Sequence, residues 1–232
     1  MYDQIREDTL FCMFYAAVTM LSLIACCYML FRQGNVFAKD ITPPEHLRRW
    51  TAAFFASIAL NHVWYMPKLF LSSSNDIMMI DLIGGLLDSM TVFPLAIVVL
   101  FAMLQDRRRP LWPVVVMIVP LAVGNALDLA TLSYAYLPWL YIYFLLMCIG
   151  LIIYFVRALR QYSCWLRDNY ADLEHKEVWQ SFIVLAILLL AFNIYAFINE
   201  GTAYVYTMLV GCAVLICYLL WRVETLNDLT QL

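Results

Sequence analysis

An all-α, polytopic integral membrane bundle is the fold this sequence predicts, and three observations predict it. Apolar stretches recur seven times along 232 residues, hydrophobic residues make up 65% against 13% charged, and Lys and Arg gather on alternate connections. An ordinary soluble domain carries nearer 45–50% apolar and about 25% charged residues. The predicted helices lie at about 10–31, 50–70, 78–104, 111–131, 135–156, 182–199 and 202–221. Each has roughly 18–27 residues, enough to cross a hydrocarbon core of about 30 Å at about 1.5 Å per residue.

The first segment, Leu10–Phe31, is preceded by Asp3, Glu7 and Asp8 against a single Arg6, the wrong charge for a signal peptide, so it reads as a retained helix. Arg32, Lys39, Arg48 and Arg49 follow it; Trp50–Phe70 then returns towards the first side, where Lys68 stands almost alone. Met78–Leu104 ends in the run Arg107-Arg108-Arg109, and Leu111–Thr131 leads to a connection of about four residues near Leu132. Ala135–Val156 is followed by Arg157, Arg160, Arg167 and Lys176, and Phe182–Asn199 is joined to Thr202–Trp221 by Glu200-Gly201 before Arg222. Twelve of the fourteen basic residues thus share one side, and positive connections stay in the cytoplasm. The expected topology is a multi-pass protein of seven helices, amino terminus outside, carboxyl terminus inside. Trp50, Trp112, Trp179 and Trp221 mark one interface and Trp64 and Trp139 the other, as an aromatic belt requires. Seven cysteines form no CxxC pair and read as small apolar packing residues.

Polar residues inside apolar helices are expensive and normally face the bundle interior. Asp81 and Asp88 are seven apart on the third segment, with Gly84 and Gly85 between them and Thr91 expected to continue their face. Asn61, His62 and Tyr65 stand in the second segment, Asn125 and Asp128 in the fourth, and Asn193 in the sixth. All converge on the outer half, and together they predict a ligand-binding polar cavity opening outward. The competing reading is interhelical hydrogen-bond glue, with Lys68 and Asp81 as a rim ion pair.

Several classes fit poorly. The last segment has no lysine for a retinal Schiff base, and His62 is the lone intramembrane histidine, too few for a zinc hydrolase. No GxSxG, HExxH, GxGxxG or phosphate loop occurs. The expectation is therefore a non-enzyme without metal or other cofactor. A small-solute transporter using the same cavity is the alternative function, although no convincing internal repeat supports it.

On the cytoplasmic side Leu159, Tyr162, Leu166, Tyr170 and Leu173 recur at helical spacing, so the fifth helix should extend inward. After Trp221 the chain shows no helix stop, and Leu219, Val223 and Leu226 follow a 4-3 spacing, so the last helix should run unbroken to at least Leu226 as a rod projecting beyond the membrane. Residues 222–232 read as the start of a cytoplasmic signalling helix, with Val223 and Leu226 as output positions and an output domain beyond residue 232. That spacing also allows a homodimer through the cytoplasmic helix. The run Arg160-Gln161-Tyr162-Ser163-Cys164-Trp165-Leu166-Arg167-Asp168-Asn169-Tyr170-Ala171-Asp172-Leu173-Glu174-His175-Lys176-Glu177-Val178-Trp179-Gln180-Ser181 resembles a segment of the membrane-embedded amino-terminal regions of Bacteroidota signalling proteins. In those a cytoplasmic helix-turn-helix regulator or histidine-kinase module follows. The resemblance implies a sensor domain over residues 1–221, serving signal transduction and transcription regulation. Its expected partners are the lipid bilayer and, as signal, a small molecule, a proton or a lipid head group, with no direct nucleic-acid contact by this segment. Cysteine labelling tests the topology: a cysteine at Ser73 should react from outside and one at Ser163 only from inside. The reverse pattern overturns the orientation.

Overall fold

The computed structural model describes residues 9–32, 35–38, 41–71, 73–107, 109–170, 176–184 and 202–229. Their regular structure is helical throughout: α1 Thr9–Phe31, α2 Glu45–Tyr65 with a 3-10 turn Met66–Leu69, α3 Ser74–Leu87, a π-turn Asp88–Val92, α4 Phe93–Met103, α5 Trp112–Thr131, α6 Leu137–Asn169 and α7 Thr202–Glu224. Among the described residues five stretches are long and apolar enough to cross a membrane: Thr9–Phe31, Ser74–Met103, Trp112–Thr131, Leu137–Asn169 and Val205–Glu224. Val115, Val119 and Val123 lie exposed at four-residue spacing along α5, an apolar face that suits lipid and not water. The chain has the make-up of a multi-pass membrane protein. The second predicted segment folds as α2, which falls outside those five, since the helix begins with Glu45, Arg48 and Arg49 and carries Ser57, Asn61 and His62 further along. Of the sixth only residues 182–184 are described, and they are helical.

Two compact units make up the chain, one of residues 1–62 and 174–232, the other of residues 63–173. In the first, α1 buries Phe11, Val18, Ser22, Ala25 and Met29, spaced 7, 4, 3 and 4 apart, a single stripe of a 3.6-residue helix. That stripe packs on α7, where Phe11 meets Tyr206 edge to face with ring centroids 5.5 Å apart. Two hydroxyls tie α1 to α2: Ser22 Oγ donates to the Phe55 carbonyl and Tyr15 Oη to the His62 carbonyl, each at 2.6 Å.

The last helix departs from the expected rod. Rather than running unbroken through Leu226, α7 stops at Glu224, and residues 225–229 turn back so that the Asp228 N–H donates to the Thr42 carbonyl at 3.0 Å. Leu219, Val223 and Leu226 are nearly or wholly buried within this unit. The reason is Glu224. Its side chain is 0% exposed and pairs with Arg32, which follows α1, and with Arg48 of α2 at 3.5 Å. Asn35 Nδ2 takes the carbonyl of Glu224 at 2.8 Å and that of Ile41 at 2.9 Å, satisfying a helix-terminal acceptor. Arg48 also donates to the Met29 carbonyl near the end of α1, at 2.8 Å.

In the second unit α3 packs on α5, and α5 on α6. A Cβ at Gly124 would lie 2.4 Å from Leu140 Cδ2, so the absent side chain lets α5 and α6 approach closely. Their connection is a Schellman end: the Leu132 and Ser133 N–H groups donate to the Leu129 and Asp128 carbonyls, with Leu132 left-handed at φ 46°. Helix α6 then runs 33 residues without a break, burying Met147, Phe155, Ala158, Tyr162 and Leu166 on one side. The extension expected beyond the fifth apolar segment is present through Asn169.

Removing one member of a buried ion pair typically costs about 3–5 kcal/mol, because the remaining charge is left without compensation. Glu224→Ala, which leaves both Arg32 and Arg48 facing a void, should therefore lower the thermal midpoint by several degrees in a detergent melt. An exposed control, Glu45→Ala, should shift it by under a degree, since its pairing with Arg49 is solvent-screened.

Candidate functional site

Pro67 lies in the 3-10 turn that ends α2, where its missing N–H interrupts the α-helical ladder. Three side chains of the segment 64–68 thereby meet α3 and the first residue of the π-turn that follows it. Trp64 Nε1 donates to the Ile80 carbonyl at 3.2 Å, Lys68 Nζ pairs with Asp81, and Tyr65 Oη donates to Asp88 Oδ2 at 3.0 Å. Asp81, Gly84 and Asp88 recur at three- and four-residue intervals, which puts them on a common face.

Gly84 makes this approach possible. A Cβ there would stand 2.3 Å from Tyr65 Cζ and Oη, so the phenol ring lies directly on the glycine backbone. One residue on, a Cβ at Gly85 would stand 3.4 Å from Asn125 Oδ1, which brings the α5 amide to the neighbouring side of α3. Asn125 Nδ2 is held by the Leu121 carbonyl at 2.9 Å, leaving its oxygen turned towards α3.

Asp88 opens the π-turn. The Phe93 N–H donates to the Asp88 carbonyl five residues back, the hydrogen bond that defines a π-turn. Pro94, which has no N–H to give, follows the turn within two residues, whereas Pro120 is carried inside α5 without such a turn. Ser89 Oγ and Thr91 Oγ1 bond to the Leu86 and Leu87 carbonyls, at 2.8 and 2.7 Å. Such turns occur often at functional positions. Here a carboxyl and a phenol meet at a break in a membrane-length helix, with the Asn125 amide beside Gly85 about one turn away, groups able to accept a proton or to hydrogen-bond a small polar ligand.

The structure thus brings Tyr65 and Asp88 into contact, with Asn125 beside Gly85, and engages Asp81 with Lys68. Asp128 is placed differently. It is fully buried, and its Oδ1 accepts the Tyr136 N–H at 2.9 Å, so it fastens the turn between α5 and α6. Asn61 and His62 belong to the other unit, where His62 Nδ1 contacts the Ile58 carbonyl at 2.9 Å and the imidazole lies 5.0 Å from the Tyr15 ring centroid. Asn193 lies outside the described residues. Val223 and Leu226 are buried around the end of α7. Among the described residues no three His, Cys, Asp or Glu side chains are gathered as a metal ion would require. The sequence reading missed Glu224. An acid two residues past Arg222, close to the end of the last apolar segment and on the side holding Arg32 and Arg48, was the available signal.

Overpacking a tight contact costs about 1–3 kcal/mol. Gly84→Ala should lower the detergent melting midpoint accordingly, because the new methyl occupies the place of the Tyr65 ring. Combining it with Tyr65→Ala should cost clearly less than the two single changes added together, the coupling expected of residues in contact. Strict additivity would show that the two side chains do not meet.

No protein-family model, no curated protein and no solved structure matches the chain.

Proposed function

We propose that this chain is the sensor module of a bacterial signal-transduction protein, with seven membrane helices, amino terminus outside, in the inner membrane. The observation that carries the reading is helix α6. Its 33 residues measure about 50 Å, some 20 Å more than a hydrocarbon core of about 30 Å requires. The excess bears the first part of the segment resembling Bacteroidota signalling proteins. A transporter has no use for such a rod, whereas a sensor must act on something beyond the membrane.

The signal in this reading is a small molecule, a proton or a lipid head group that engages the Tyr65–Asp88 pair. Only a ligand with different affinities for two arrangements can shift their balance. The contacts at hand form a continuous route: Tyr65 on Gly84, Gly85 beside Asn125, Gly124 against Leu140, then the unbroken α6. The Asp128–Tyr136 bond stiffens the joint between the last two helices. The interrupted helix at Asp88 is the one feature that favours the alternative, since transporters often bind solutes at broken helices.

Inserting one residue after Arg157 in the full-length protein rotates everything downstream by about 100°. In cells, deletion of the gene should change the transcripts of a confined gene set. The insertion variant, present in the membrane at normal abundance, should mimic that deletion or fix the set in its opposite state. Transcript profiles unaltered by both changes would sink the sensor reading. Concentrative uptake of a solute by proteoliposomes of the purified protein would establish the transporter.

A further inference from the structure

Most arginines of the basic side already have partners within the protein. Arg32 and Arg48 hold Glu224, Arg49 pairs with Glu45, and Arg222 donates to Ser181 Oγ and to the Glu177 carbonyl. Arg109 is nearly buried, 2.7 Å from Asp106, and donates to the Leu104 carbonyl. A different group remains. Arg157, Arg160 and Arg167 are exposed on α6 and make no ion pair among the described residues. Arg107 is 59% exposed and lies 3.9 Å from Asp106, a carboxylate that Arg109 already engages.

These four are not equivalent in depth. Arg157 follows directly on the apolar run of α6, and Arg160 lies about 4.5 Å further along the axis. The head-group layer of one leaflet is roughly 5–8 Å thick, so both fall within it. Arg167, about 15 Å beyond Arg157, lies past it. Arg107 is brought to the same level by its Nη2, which donates to Gln161 Oε1 at 3.1 Å. Arg157, Arg160 and Gln161 share one face of the helix, turned roughly 125° from the buried Ala158 and Tyr162 at about 100° per residue. Three guanidiniums are thus gathered in one thin layer, two of them on adjacent turns where like charges repel. Such a cluster is stabilised by an anion between its members, and guanidinium forks match phosphate oxygens.

We propose that Arg107, Arg157 and Arg160 form a docking surface for the phosphate of an anionic phospholipid, with Gln161 positioning Arg107. The inference rests on the membrane reading above and is independent of whether the protein senses or transports. Its consequence is that anionic lipid fastens the base of α6 to the 106–109 connection.

The test uses the purified full chain in nanodiscs of equal dioleoylphosphatidylcholine and dioleoylphosphatidylglycerol, with retained lipid identified by native mass spectrometry. A basic residue at a membrane surface contributes about 1 kcal/mol, or about fivefold, to anionic-lipid preference. Wild type should retain phosphatidylglycerol in excess, and the triple variant R107Q/R157Q/R160Q should lose most of that excess. Gln161→Leu, which releases Arg107 but keeps every charge, should lose part of it; Arg49→Gln should keep it. Equal retention of both lipids by wild type overturns the proposal. So does an excess that survives the triple variant, or one that Arg49→Gln abolishes equally. The sensor reading stands or falls separately, by the transcript response to the insertion after Arg157.

Discussion

A polar group carried into an apolar surrounding must find its partner inside the protein, and the packing of this chain follows from how each one does so. Many polar side chains turn back onto their own helix. Thr19, Thr51, Thr91, Asn125 and Thr131 each bond the carbonyl four residues earlier. These bonds make a residue tolerable without specifying a neighbour. A smaller set reaches across: Ser22 and Tyr15 to α2, Trp64 and Tyr65 to the third apolar segment, and Tyr143 of α6 to the Met117 carbonyl of α5 at 2.8 Å. Without water to compete, the second set fixes which helix faces meet, while glycines 84 and 124 determine how closely.

Charged groups obey the same constraint at a higher cost. Two guanidiniums around Glu224 offset the desolvation of a carboxylate that has lost all exposure, and each of the three comes from a different part of the chain. The arrangement therefore closes one end of its unit more specifically than apolar packing would. Lys68 and Asp81 have a looser version of the same solution, both being partly exposed.

How much of this was legible in the sequence depended on whether the cause was local. The apolar run from Leu10 to Phe31 and the Pro-marked start of the fourth segment carry their own boundaries, and the helices begin and end within a residue or two of them. The inward extension of the fifth helix was equally visible, because Tyr162 and Leu166 recur at helical spacing. The end of α7 was not. A 4-3 pattern of Leu219, Val223 and Leu226 describes a core stripe as well as it describes a protruding rod, and the carboxylate that decides between them is paired with arginines nearly two hundred residues away in the chain. Within the candidate site, one face bearing Asp81 and Asp88 was readable from seven-residue spacing, whereas the ring of Tyr65 lying on Gly84 and the engagement of Asp128 by the Tyr136 backbone are contacts that no spacing encodes.

The π-turn at 88–92 has a bearing on how the third apolar segment can change. A π-turn accommodates one residue more than the α-helix it interrupts, so the stretches on either side keep faces that an uninterrupted helix of the same length would turn by about 100° relative to each other. Thr91, which falls on the face of Asp81 and Asp88 in a regular helix, sits instead within the turn. Loss of one residue here would return the segment to plain α-helix while leaving the Asp81–Gly84 face and the α4 packing surface in register. The turn is therefore a place where chain length and helix phase are separable. Insertions and deletions in this segment should accumulate between Asp88 and Val92 sooner than in the uniform helices on either side.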